Sequence, residues 1–230
     1  MRTRRIMRPW QKLIPQEDRD LYEKAGFAGR VPWGKHPAIL VIDVTLPFLG
    51  KRMEVMKSVE EVPTGCGEAG WTALAHIQEL LDVVREAGIP VVYTRPSPGS
   101  VTTKRALAAG GKGPPQDFPS EIMPRVEDLV VEKPKASAFF ETSLHHYLQA
   151  RGLDTLLVTG ASTSGCVRSS VVDAFSHGYT VLAVEECLFD RSSFAHAANL
   201  FDMQGKYADV VSLQEAVEYL ATLSSVGARP

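Results

Sequence analysis

A chain of 230 residues with 44% hydrophobic residues can bury roughly 70% of its unfolded surface in one α/β domain and is cramped for two. Its 25 Lys and Arg against 27 Asp and Glu leave a net charge of −2, so neither nucleic acid nor a membrane surface is attracted by charge. Three widely spaced cysteines, Cys66, Cys166 and Cys187, without a CxxC pair fit neither a disulfide framework nor a zinc site.

The basic start, MRTRRIMRPWQKL, lacks the apolar stretch of ~7–15 residues that a secretory signal carries, and no run of ~18 apolar residues spans a bilayer. The expectation is a cytoplasmic protein whose partners are small molecules or copies of itself.

Residues 1–36 read as a polar N-terminal arm with a short helix near Asp18 to Lys24, lying on the surface or on a neighbouring subunit; residues 37–230 read as one domain. AILVIDV (38–44) is a continuous, β-branched apolar run that suits a strand buried on both faces of a parallel sheet. From Trp71 to Ala87 the spacing of Leu74, Ile77, Leu80, Leu81 and Val84 predicts a helix stopped at Gly88. IPVVYTR reads as the second strand, and the Gly- and Pro-rich stretch 96–119 as a long loop.

The second half alternates. DLVVEK, DTLLVTG, YTVLAVEE and ADVVSL read as strands, and TSLHHYLQARG, GCVRSSVVDAFSHG, Ala195 to Met203 and QEAVEYLATL as helices. This alternation predicts a three-layer α/β sandwich, Rossmann-like, with a mainly parallel sheet and helices on both faces. Ligands then bind at the carboxyl ends of the strands.

Three chemically complementary side chains fall at that edge. Asp43 ends the first strand, Lys133 follows DLVVE, and Cys166 stands where a helix begins after DTLLVTG. A cysteine in the first turn of a helix feels the helix dipole, which favours its thiolate. A carboxylate can take the thiol proton while an ammonium holds both as anions.

Each residue also has a plainer reading: Asp43 as a turn former, Lys133 as a solvated charge, Cys166 as a packed small side chain. Other cysteine chemistries fit poorly. Val172 stands where a phosphatase loop needs arginine, Ser164 and Arg168 stand where a nucleophile elbow needs glycines, and no second cysteine is near enough for dithiol exchange.

AILVIDV with Asp43, EKPKASAFFETSL with Lys133, and TGASTSGCVRSSVVDAFSHGYTVLAVEE with Cys166, together with YEKAGFAGRVPWG, CLFDR and NLFDMQGKYADV, resemble the isochorismatase-like cysteine hydrolases. Within them, the N-carbamoylsarcosine amidohydrolase group is the most similar, and the likeness runs from about Tyr22 to the end. The resemblance implies Cys166 as nucleophile, Asp43 as general base and Lys133, rather than Lys135, as the ammonium that tunes both. It also implies a cis peptide bond between Ala161 and Ser162 and an oxyanion hole made by the N–H groups of Ser162 and Cys166.

The expected reaction is hydrolysis of the terminal C–N bond of a small amide or ureido substrate through a thioester, in a dimer or tetramer, with no metal and no cofactor. Arg191 of CLFDR matches a family position that binds a substrate carboxylate, with bracing of its loop as the alternative. Phe48, Phe139 and Phe140 are candidates for the pocket wall or for core packing. Biuret, ureidoacrylate and maleamate remain open as substrates, because the selecting side chains fall in loops such as 45–70 and 96–119. A redox-sensing thiol protein is the rival of a different class. Arg168 and Asp173 are read as ion-pair or subunit-contact residues, His145 and His146 as pointing apart, and His196 as lying alone.

Overall fold

The computed structural model describes residues 7–27 and 29–226. The first six residues of the basic start lie outside that range. Six parallel strands form one sheet in the order β3-β2-β1-β4-β5-β6, with β1 Pro37–Ile42, β2 Val91–Pro96, β3 Leu129–Lys133, β4 Thr155–Ala161, β5 Thr180–Phe189 and β6 Asp209–Val211. The order reverses direction between β1 and β4. In such sheets the crevice for ligands opens there, outside the carboxyl ends.

Every residue of β1 is buried because the sheet is covered on both faces. Ile39 and Val41 face one cluster, with Leu74, Ile77, Leu80, Leu81 and Val84 of α4 (Glu68–Glu86) and Ala216, Tyr219 and Leu220 of α9 (Leu213–Val226). Leu40 and Ile42 face the other, with α6 (Leu144–Ala150), α7 (Arg168–Ser176) and α8 (Ser193–Lys206). Alternate residues of one strand therefore tie both helical layers together.

Three expectations need correction. The segment between Asp43 and α4 folds into two short helices, α2 (Leu46–Leu49) and α3 (Val55–Glu61), the latter capped by Glu54, whose carboxylate accepts from the N–H groups of Met56 and Lys57. The 96–119 stretch holds a further short helix, α5 (Lys104–Ala108). Strand β5 runs beyond YTVLAVEE to Phe189 by shifting register: Val158 pairs with Ala183, and Gly160 with Leu188. None of these short pieces is long enough to show a hydrophobic period.

The N-terminal arm packs on its own chain. Its α-helix, α1, spans Gln16–Lys24 and follows a 3-10 turn at Pro9–Leu13. Ahead of it, Trp10 and Ile14 are buried in the α8-side cluster, and Trp10 Nε1 donates to Glu185 at 2.6 Å. Arg8 pairs with Glu185 at 3.2 Å and Glu215 at 2.6 Å, and Arg30 with Glu215 at 2.8 Å. Among the described residues no helix is long and apolar enough to cross a membrane.

Gly160, on β4, sits at the reversal point. Its φ is +104°, and a Cβ added there meets Ile42 O at 2.0 Å, a backbone atom that cannot swing aside. Gly160→Ala therefore combines strain with overpacking between β1 and β4. The expected loss is more than about 3 kcal/mol, read from the urea midpoint, and an unchanged midpoint contradicts the close approach.

Candidate active site

The end of β1 builds the first corner. Asp43 has φ +50°, in the left-handed region that aspartate tolerates better than most residues. The backbone holds it there, because its N–H donates to Thr94 O at 3.1 Å. The Thr94 hydroxyl in turn donates to Asp43 Oδ1 at 2.8 Å. The other oxygen, Oδ2, meets Lys133 Nζ at 2.8 Å, yet receives no well-angled hydrogen bond from any described group.

Lys133 ends β3, two strands away. Its side chain and that of Asp43 are both fully buried. Nζ also donates to Lys135 O at 3.1 Å and to Cys166 Sγ at 3.3 Å. The Lys135 side chain itself is exposed, so the neighbour contributes its carbonyl and not its charge. Burial opposes the Lys133 charge, but the Asp43 carboxylate and then the Cys166 sulfur outweigh it, and the ammonium titrates above its ordinary value.

Cys166 is 3% exposed. It lies in a wide π-type turn, Thr163–Val167, directly before α7, and Gly165 leaves helical backbone there (φ −117°, ψ −106°). The Ala161–Ser162 bond leading into the turn is cis. The Ser170 hydroxyl donates to Cys166 O at 2.7 Å and accepts from the Ala138 N–H at 2.9 Å, joining the turn to the segment after Lys133. Burial, and next the Asp43 charge, push the Cys166 thiol up to about 12 against the pull of Lys133. At neutral pH the resting group is a thiol beside an ion pair. Proximity to the start of α7 does not outweigh burial and the Asp43 charge.

Asp43, Lys133 and Cys166, drawn from three strands, are thus brought into one contact set. The other candidates separate. Arg191 donates to Thr64 O at 2.6 Å, and its buried Nε has no acceptor among the described groups. It lines a cavity of about 680 Å³ with Cys66, Glu68, His76 and His196; that lining reaches Asp190 but includes none of Asp43, Lys133 and Cys166. Phe139 is buried among core side chains against His177 and Tyr179, with centroids at 5.4 and 6.1 Å. Phe140 is 46% exposed, and Phe48 packs half-buried on the α4-side cluster.

Several contacts were not foreseen. Thr94 orients Asp43. Asp190 accepts from the Ser164 N–H and hydroxyl, and Thr163 Oγ1 lies 2.8 Å from His196 Nδ1, so His196 is not alone. His145 stacks on His177 with centroids 4.0 Å apart. Arg168 pairs with Asp202, as an ion-pair role requires. An Asp ending an apolar strand was the signal that singled out Asp43, and Asp190 after ECLF carries the same one.

The Isochorismatase domain model matches residues 37–215. Maleamate amidohydrolase of Pseudomonas putida is 36% identical over 223 residues, covering 91% of this chain and 98% of that protein. N-carbamoylsarcosine amidase of an Arthrobacter species is 30% identical, covering 88% and 78%. The crystal structure of an isochorismatase-like hydrolase from Alkaliphilus metalliredigens superposes with a TM-score of 0.65 at 28% identity, covering 80% of this chain and 98% of that one. With its sheet order, its matched domain and these relatives, the chain belongs to the isochorismatase family.

Proposed function

We propose that this protein is a cysteine-dependent amidohydrolase that releases ammonia from a small amide or ureido substrate bearing a carboxylate. The observation that carries this reading is Lys133 Nζ standing 2.8 Å from Asp43 Oδ2 and 3.3 Å from Cys166 Sγ in a fully buried setting. The relatives named for hydrolysis of maleamate and N-carbamoylsarcosine support it.

In the proposed reaction Asp43 Oδ2 takes the Cys166 proton as the sulfur attacks the carbonyl carbon. The carbonyl electrons move to oxygen, which the N–H groups of Ser162 and Cys166 hold. Collapse of this intermediate breaks the C–N bond, and protonated Asp43 gives its proton to the departing nitrogen, leaving a thioester and ammonia. Asp43 then takes a proton from water as the hydroxide adds to the thioester. The C–S bond breaks, and the thiolate regains its proton from Asp43. Lys133 keeps its charge throughout, so the net charge of the buried set together with the bound substrate, oxyanion included, is the same before and after each proton moves.

Arg191 is the residue to which the carboxylate part of the reading is assigned, since a guanidinium can clamp a carboxylate, although the cavity it lines includes none of Asp43, Lys133 and Cys166. Its bond to Thr64 O favours a second reading, in which it braces the loop and the substrate is neutral.

Purified protein should release ammonia from at least one of maleamate, N-carbamoylsarcosine, ureidoacrylate and biuret, and Cys166→Ala should release none; silence of the wild type on all four would sink the proposal. Asp43→Asn tests the proton path separately. Because the Asp43 charge raises the Cys166 pKa, the variant should alkylate at lower pH than wild type and yet hydrolyse nothing. Parallel loss of both properties would assign Asp43 to folding instead.

For Arg191→Ala, kcat/KM on a carboxylate substrate should fall about 10- to 100-fold further than on its neutral carboxamide counterpart. Equal losses on the pair would leave Arg191 as a brace.

A further inference from the structure

The turn that carries Cys166 is held only in part by its own backbone, where the N–H groups of Gly165 and Val167 donate to Ser162 O at 2.9 and 3.2 Å. At Gly165 it leaves helical backbone, so helical hydrogen bonds cannot define it throughout, and its polar groups need partners from elsewhere in the fold. Asp190, at the end of β5, supplies one set. Its side chain is 2% exposed. Oδ2 accepts from the Ser164 N–H at 2.8 Å and from the Ser164 hydroxyl at 2.7 Å. Oδ1 accepts from the Arg191 N–H at 2.8 Å, and a guanidinium nitrogen of Arg191 lies 4.0 Å away.

Two bonds from one residue to one carboxylate oxygen fix the orientation of that residue as well as its position, and the negative charge strengthens both. Thr163, one residue earlier, is held by His196 Nδ1 at 2.8 Å and Phe189 O at 3.2 Å. The placement of Cys166 relative to Lys133 and Asp43 is therefore set in part by β5 and α8, neither of which contributes a member of the contact set.

We infer that Asp190 is a positioning residue for the proposed hydrolysis, holding through Ser164 the turn that sets Cys166 Sγ against Lys133 and Asp43. The inference rests on the amidohydrolase reading of Cys166. Asp190 itself does not meet the reacting atoms. The largest charge effects on the Cys166 thiol are those of Asp43 and Lys133. Loss of Asp190 thus reaches the sulfur by letting it move. A displacement of ~1 Å is enough to cost about 10²-fold in rate.

The test compares full-length Asp190→Asn, Ser164→Ala and the double variant. Turnover is measured on whichever amide the wild type hydrolyses. The pH profile of Cys166 alkylation by iodoacetamide is read at the Cys166 peptide by mass spectrometry. Asp190→Asn should lower kcat about 10²-fold with KM changed by less than about 3-fold, Ser164→Ala about 10-fold, and the double variant no further than Asp190→Asn. The alkylation profile should move to lower pH in each, because a displaced sulfur leaves the burial and the Asp43 charge that together outweigh the pull of Lys133.

A purely structural Asp190 lowers the melting temperature but leaves kcat per folded molecule and the profile where they were, and that result overturns the inference. If Asp190→Asn does not fold, Ser164→Ala decides alone, and unchanged kcat and profile again overturn it. If the wild type hydrolyses none of the substrates, the amidohydrolase reading fails, while the alkylation profiles still decide whether Asp190 positions the thiol.

Discussion

The ion pair between Asp43 and Lys133, both fully buried at 2.8 Å, is the constraint on which the rest of the structure depends. An isolated charge at that depth costs several kcal/mol, and the attraction between partners offsets this only when the geometry is good and the remaining donors are satisfied. The surroundings meet that condition. Thr94 donates to the carboxylate, and Lys135 O accepts from the ammonium. The strand order brings the ends of β1 and β3 to the same edge with β2 between them. The Lys133 side chain crosses that gap to Asp43, and Thr94, on β2, holds the other carboxylate oxygen. The third group at this edge is a thiol, which adds no charge to a site that already holds two.

Much of this was legible in the sequence because it rests on composition along short runs. A strand buried on both faces must be apolar throughout, so AILVIDV, DTLLVTG and YTVLAVEE identify themselves, and polar residues at their ends stand out. Asp43 and Lys133 stand out by that contrast, Cys166 stands out by its place near a helix start, and the choice of Lys133 over Lys135 comes from the family resemblance. Contacts between residues distant in sequence were not legible. The stack of His145 on His177 joins α6 to the end of α7, and no spacing within either segment encodes it. Short helices such as α2 and α5 carry too few residues for a period.

The direction of the Cys166 shift was the least accessible feature. Proximity to a helix start argues for an easier thiolate, and that argument holds for a cysteine in partial contact with water. Here the sulfur is 3% exposed and faces a carboxylate as well as an ammonium. Burial and like charge oppose the thiolate together, and one ammonium shared with Asp43 does not cancel them. Depth of burial decides the sign, and depth is a property of the assembled layers.

The same depth bears on how the proposed nucleophile is controlled. A thiol pushed up to about 12 is a poor target for oxidants and stray electrophiles, since the thiolate is the reactive form. On the proposed mechanism its proton goes to Asp43 Oδ2, which receives no well-angled hydrogen bond from any described group. Transfer alone would leave a thiolate beside Lys133 and a neutral acid, an exchange of one buried anion for another. That exchange becomes downhill when the negative charge passes on to a carbonyl oxygen held by backbone N–H groups. On the proposed mechanism, reactivity is thus coupled to the presence of a substrate carbonyl, and the groups that place the sulfur matter as much as those that charge it. This is why the turn before α7 is held from β5 and α8 as well as from its own backbone.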